Sequence, residues 1–280
     1  MKLIIDSCTD ISLEDAKAMG AYFIPLKVNI DGKEYLDKYE ISSKEVSEAV
    51  DKGIRPLTSQ VNPEQFSEYF KEALNEDNEI LYLGLSSNLS GTLQSAIIAK
   101  ETIEEEYKEA DITVIDSLSA SYGYGMLAER AAQYIKENLP KEEIINKIEE
   151  DKTRIRHLFT VNDLDYLAKG GRLSKGQAFI GSLLNIKPLL HVEDGRLVPI
   201  EKHRGMKRVY KRMIDIMNEE GAKNEAHIVH SLAQDLAEEL KEKVLQNTEV
   251  TDVKISEIGP TITSHTGNGT VALFYFKRGE

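Results

Sequence analysis

A chain of 280 residues with 41% hydrophobic and 30% charged residues is long for one compact core, so two domains of an ordinary globular protein are expected. Its net charge of -13 opposes nonspecific nucleic-acid binding and obliges any anionic ligand to find a local site. One cysteine, Cys8, excludes an internal disulfide and a thiolate-rich metal site; no apolar run has the length of a membrane span, and a strand-like start in place of a signal peptide points to the cytoplasm.

In chain order, Leu3 to Ile5 reads as a short buried strand ending in the polar run Asp6 to Asp10. A helix from about Leu13 follows, with Ser12 and Asp15 at capping-box spacing and Gly20 as its stop. Tyr22 to Ile30 reads as a second strand, Asp31-Gly32 as a hairpin turn and Lys33 to Tyr39 as the partner. A helix around Lys44 to Asp51 ends at Gly53. Pro56 to Gln60 then forms a polar loop, and Asn62-Pro63-Glu64 opens another helix.

Ile80 to Ala99, ILYLGLSSNLSGTLQSAIIA, is the most informative stretch. It reads as a strand buried on both faces, a loop crowded with hydroxyls, and a helix with Ser90 at its N-cap. A helix start presents unpaired N–H groups and a partial positive charge, so this loop suits an anion as well as simple capping. Ile112 to Ile115 is a further buried strand, followed by a long helix from Tyr122 to Glu137 that Pro140 closes. Three strands thus end in small hydroxyl residues, at Ser7, Ser86 and Ser117, along the edge where open α/β sheets bind ligands. No G-x-G-x-x-G or Walker sequence occupies these loops, so no nucleotide cofactor is expected.

The second half mixes strands and helices without strict alternation. A charged helix over Lys141 to Arg156 leads to a strand at His157 to Val161, then to Gly170-Gly171-Arg172-Leu173-Ser174 and an apolar helix over Ala178 to Leu184. Ile186 to Val192 and Leu197 to His203 form a hairpin. A basic helix is expected next, gathering Lys202, Arg204, Lys207, Arg208, Lys211 and Arg212. His227 to His230 is a strand, Asp235 to Leu245 a helix and Val253 to Ile258 a strand. Gly259-Pro260 opens a loop through Ser264 to Gly269, and Val271 to Phe276 is the last strand. The fold class is α/β: a doubly wound parallel-sheet domain over residues 1–155 and a mixed-sheet α/β domain over 156–280.

Seven segments in order carry a resemblance: Asp6-Ser7, Thr58-Ser59-Gln60, Leu85-Ser86-Ser87 with Leu89 to Thr92, Val114 to Ser117, Gly170 to Ser174, Leu184 to Pro188 and His265-Thr266-Gly267. Together they resemble the DegV family of bacterial fatty-acid-binding proteins, the lipid-carrying subunits of fatty acid kinase, over essentially the whole chain. The resemblance implies a long-chain fatty acid held in a tunnel, with its carboxylate at the domain junction. It implies a separate ATP-dependent kinase as partner, which converts the acid to an acyl phosphate for phospholipid synthesis. Carried over, Thr58, Ser90 and His265 receive the carboxylate, with Ser59, Gly91 and Thr92 close by. Arg172 and Arg204 present the head group or dock the kinase. Phe179, Ile180, Leu183, Leu184 and Ile186 are candidates for the tunnel lining, although apolar residues at helical spacing also suit plain core. The sequence departs from the family pattern at Val61-Asn62, after T-S-Q, and at Asn268 in H-T-G-x-G.

No catalytic residue, metal or cofactor is expected beyond the bound acid. His227 and His230, three apart in a strand, face opposite sides and make poor zinc geometry, and His157, His191 and His203 read as structural or exposed. Cys8 reads as a stand-in for a small hydroxyl, and Asp6 and Asp116 as loop organisers. The basic run suits an acidic kinase surface or transient contact with an anionic membrane during lipid exchange. Two rivals differ in class. A serine hydrolase would use Ser90 as nucleophile and His265 as base, without a G-x-S-x-G elbow; a DNA-binding regulator would use the basic helix against the overall acidity.

Overall fold

A computed structural model gives the fold and describes residues 1–174 and 186–279. In chain order the described strands are β1 (Lys2–Asp6), β2 (Tyr22–Ile24), β3 (Lys27–Ile30), β4 (Lys33–Leu36), β5 (Leu57–Ser59), β6 (Glu79–Gly84), β7 (Asp111–Asp116), β8 (Ile155–Thr160), β9 (Ile186–Glu193), β10 (Arg196–Arg204), β11 (Lys223–His230), β12 (Glu249–Glu257) and β13 (Val271–Phe276). They make a four-stranded parallel sheet in the order β2-β1-β6-β7 and a six-stranded mixed sheet in the order β10-β9-β8-β13-β11-β12. The expected hairpin across Asp31-Gly32 is β3–β4, but it stands apart as a three-stranded antiparallel sheet, β4-β3-β5, whose third strand was not expected.

In the parallel sheet β6 is central, and Ile80, Leu81, Tyr82 and Leu83 are all fully buried. That is the continuous apolar run a strand covered on both faces needs. Helices Pro63–Leu74 and Thr92–Glu106 pack together, as do Ser121–Lys136 and Lys141–Arg154. In the mixed sheet, neighbouring residues alternate between two cores. Leu158, Leu273 and Tyr275 join Val209, Met213 and Leu240 of the helices Met206–Glu219 and Gln234–Asn247. Phe159, Ala272 and Phe274 turn the other way and join the core of the parallel sheet.

Four expectations are corrected. The strand over Tyr22 to Ile30 divides at Pro25: β2 stays in the parallel sheet and β3 starts the small sheet. Proline has no N–H for the ladder, and the next N–H, of Leu26, donates to Ser7 Oγ at 3.0 Å. Thr58-Ser59 is strand instead of loop, paired to Val28 and Lys27 of β3. Ser264 and His265 lie on a helix, Pro260–Thr266, started by a first-turn proline. The basic run does not form one helix, since Lys202 and Arg204 belong to β10 and the helix begins at Met206 after Gly205. Within it Arg212 pairs with Glu201 and Glu219, and Lys211 with Asp215.

The β9–β10 hairpin reaches back across the molecule. Its turn residues Asp194 and Gly195 have φ of 49° and 72°, which suits an Asp-Gly hairpin turn. Ser86 Oγ donates to the Gly195 carbonyl at 2.9 Å, Asn88 Nδ2 to the Asp194 carbonyl at 2.9 Å, and Arg196 Nη2 to Asn88 Oδ1 at 2.9 Å. A Cβ on Gly195 would lie 2.2 Å from Ser86 Oγ, so only glycine allows this approach. The hairpin thereby roofs the loop that follows β6.

Candidate functional site

Beneath that roof lies a cavity of about 820 Å³, open solvent at its mouth included. Its walls come from the loops after β1, β6 and β7, from β5, from the helix Pro260–Thr266 and from the inner faces of β8 and β13. The two ends differ in character. Thr58, Ser90, Arg172 and His265 gather where the cavity meets solvent, whereas Cys8, Ala120, Phe159, Ala272 and Phe274 line a buried, mostly apolar end.

At the outer end, Thr58 Oγ1 and His265 Nε2 share a hydrogen bond of 2.7 Å. Pairing β5 to β3 turns Thr58 inward and leaves Ser59 exposed on the opposite face. Burial, aided by the Arg172 and Arg55 guanidiniums, pushes His265 down to about 4, so the imidazole is neutral at pH 7. Ser90 Oγ lies 2.9 Å from Thr92 Oγ1 and accepts from the Thr92 N–H at 3.3 Å. The helix therefore starts one residue later than expected, with Gly91 at the N-cap position and Ser90 bonding just inside it. Arg172 donates to the carbonyls of Leu89 and Gly170 at 3.3 and 2.6 Å, which holds its guanidinium at the rim. Hydroxyls, a neutral imidazole and a guanidinium facing one opening form a set suited to a carboxylate.

Thr58, Ser90, Arg172 and His265 thus meet at the cavity, and the other expected residues take different places. Ser59 is exposed, and neither Gly91 nor Thr92 lines the cavity. Gly91 makes room for Gln60, since a Cβ there would lie 2.2 Å from Gln60 Oε1, and Gln60 Nε2 goes on to Ser95 Oγ at 3.0 Å. Arg204 is exposed at the end of β10 and is not part of the wall. Phe179, Ile180, Leu183 and Leu184 lie outside the described residues; Ile186 starts β9 and is not part of the described lining. The residues found instead, including Phe159, Leu197, Ile262 and Phe274, are gathered from several separate elements.

The hydroxyls that follow the strands are braces. Ser7 Oγ accepts from Leu26 N, Ser86 Oγ holds the hairpin, and Ser117 Oγ accepts from Ser119 N at 3.1 Å. Asp6 and Asp116 organise loops as expected: Asp6 receives Cys8 N–H at 2.9 Å and Tyr82 O–H at 2.8 Å, and Asp116 receives Leu118 N–H at 2.9 Å. Asp10 accepts from Ser121 Oγ and from Gly259 N, which ties the loop after β1 to the start of the His265 helix, and burial lifts its pKa to about 6. Cys8 sits among Asp6, Asp10 and Asp37, and burial together with these carboxylates pushes its thiol up, away from nucleophilic reactivity.

A hydrolase needs its histidine on the serine. Here His265 Nε2 bonds to Thr58 and Ser90 Oγ to Thr92, and among the described residues no carboxylate bonds to His265. Nor do the described residues contain a group of three His, Cys, Asp or Glu side chains able to hold a metal. Among them, no helix is long and apolar enough to cross a membrane.

A family model described as an uncharacterised protein of the DegV family matches residues 1–278. A DegV domain-containing protein of Clostridium perfringens is 39% identical over 98% of this chain and 96% of its own. Among solved structures, a Thermus thermophilus DegV family protein described for its fatty acid binding superposes with a TM-score of 0.92 at 33% identity, covering 99% of each chain. DegV of Bacillus subtilis, described as a fatty acid binding protein, gives 0.85 at 31% identity, again over 99% of each chain.

Proposed function

Because this chain belongs to the DegV family, we propose that it binds a long-chain fatty acid in the cavity between its two large sheets, carboxylate outward. The observation that carries this is the cavity's polarity: a buried apolar end, and Thr58, Ser90, His265 and Arg172 at the opening. Burying about sixteen carbons contributes on the order of 12 kcal/mol, at about 0.8 kcal/mol per methylene, before association and ordering costs. Chain burial supplies affinity and the polar end fixes direction. Thr58 Oγ1 and Ser90 Oγ donate to the carboxylate, while Arg172 lies beside them as the compensating charge.

The chain acts as a carrier that presents the acid to a separate ATP-dependent kinase for conversion to acyl phosphate. Placement of the polar end at the opening supports this, since a phosphoryl donor needs access to the carboxylate. Arg172 at the rim and the exposed Arg204, Lys207 and Arg208 are the cations we assign to meeting the kinase or an anionic membrane surface in the cytoplasm.

Mass spectrometry of the purified protein, native and after solvent extraction, tests the carrier reading. One fatty acid per chain, weakened in Ser90→Ala and His265→Ala, is the expected result. A protein that is empty and takes up no added acid refutes it. Kinase-dependent acyl phosphate formation that needs this protein and its Arg172 tests the second step.

A further inference from the structure

We propose that the inner end of the cavity holds a hydrogen-bonding station for the acyl chain, built on His157, and that the ligand it suits is a fatty acid with a hydroxyl along its chain. This rests on the fatty-acid reading above and adds a substrate class to it. His157 lies on β8 two residues before Phe159, so both side chains face the cavity. It is 4% exposed and stands edge-on to Phe274 with ring centroids 5.4 Å apart. Its Nε2 shares a hydrogen bond with Ser119 Oγ. The space is made for it by Gly123, inside the helix Ser121–Lys136, where a Cβ would lie 2.2 Å from Nε2.

Glycine weakens a helix interior, and an apolar side chain would serve a plain hydrocarbon wall better than an imidazole. Burial, with Arg156 and His191 nearby, holds the ring neutral, so it has one N–H and one lone pair. Nε2 uses one of them on Ser119; among the described residues no hydrogen bond reaches Nδ1. Whichever tautomer Ser119 selects, Nδ1 is left as either donor or acceptor. A hydroxyl answers both, and a keto group only one.

The depth of the station is set by the sheet. His157 pairs with Phe274 across β8 and β13, four residues beyond Thr270, whose hydroxyl bonds the Thr266 carbonyl next to His265. At about 3.4 Å per residue, the station lies about 14 Å along the wall from Thr270, deep enough to meet the middle or distal part of a long chain.

The test compares the affinities of octadecanoic acid and its counterpart hydroxylated on the tenth or twelfth carbon, in the full-length protein freed of lipid. A plain hydrocarbon tunnel disfavours the hydroxylated acid by roughly ten- to a hundredfold, because its hydroxyl is buried without a partner. The expected result is that wild type binds the hydroxylated acid at least as tightly as the plain one. His157→Phe then shifts the ratio roughly tenfold against the hydroxylated acid, and His157→Gln, which keeps a donor and an acceptor, restores it. A wild-type protein that rejects the hydroxylated acid tenfold or more, or a ratio unmoved in His157→Phe, overturns the inference. If the variants do not fold, the wild-type ratio decides alone. Binding of octadecanoic acid without its hydroxylated counterpart refutes this inference only, whereas binding of neither overturns the fatty-acid reading with it.

Discussion

Thr58→Val removes one hydroxyl and keeps the shape. In the free protein the loss is the 2.7 Å bond to His265 Nε2, a neutral hydrogen bond with a net value of about 0.5–1.5 kcal/mol. In the complex proposed above, the same hydroxyl would donate to a carboxylate, and such bonds are worth about 1.5–3 kcal/mol. The difference, about 1–2 kcal/mol, appears as a roughly five- to thirtyfold loss of affinity. The check is a titration of hexadecanoic acid and of hexadecanol into wild type and variant. Chain burial is common to both ligands, so the alcohol loses much less than the acid. Equal losses for both, or an acid affinity that does not change, would mean that Thr58 only braces His265 and that the head group lies elsewhere.

Three further outcomes follow from other groups. His265 is pushed down from 6.5 to about 4, so the unfolded chain binds the extra proton first; its contribution to stability is intact above about pH 6.5 and is lost as pH falls towards 4. Urea unfolding of His265→Gln therefore shows a stability-versus-pH slope shallower than wild type by up to about 1.4 kcal/mol per pH unit in that window, and an equal slope would contradict the buried neutral imidazole. Gly123→Ala sets a Cβ 2.2 Å from His157 Nε2 and lowers stability by about 1–3 kcal/mol despite alanine's better helix propensity; adding His157→Ala recovers part of the loss in a double-mutant cycle. Ala272→Leu narrows the inner end of the cavity; across a homologous series of acids, the roughly fourfold gain per added methylene stops at a shorter chain than in wild type.

Much of the scaffold is legible in local pattern. The apolar run of β6, the Asp-Gly turns, Pro63 behind Asn62 and the strand from Val271 to Phe276 all stand where residue chemistry puts them. The failures share a cause, which is that tertiary pairing decided the local state. Thr58 and Ser59 have no strand signal of their own and become β5 because β3, some thirty residues earlier in the chain, offers an open edge. Ser264 and His265 sit in a run of Thr, Ser and Gly that reads as loop, yet Gly259 N and Thr261 N are received by the carboxylates of Asp10 and Asp37, which anchor the first turn of a helix. The polar lining of the cavity was legible because hydroxyls, an arginine and a histidine are scarce signals. The wall was not. Phe159, Ala272 and Phe274 alternate with equally apolar neighbours that face the second core, and nothing local tells one face from the other.

The hairpin tip bonded to Ser86 and Asn88 bears on how the protein comes apart. Those contacts and the neighbouring apolar surface join the roof to the parallel sheet. An acyl chain bound as proposed would touch β8, β13 and the loops of the parallel sheet at once, so that neither half could open without exposing it to water. Loading then stabilises both halves jointly by mass action and makes their unfolding a single cooperative event. On that reading the lipid would serve as a structural member of the fold.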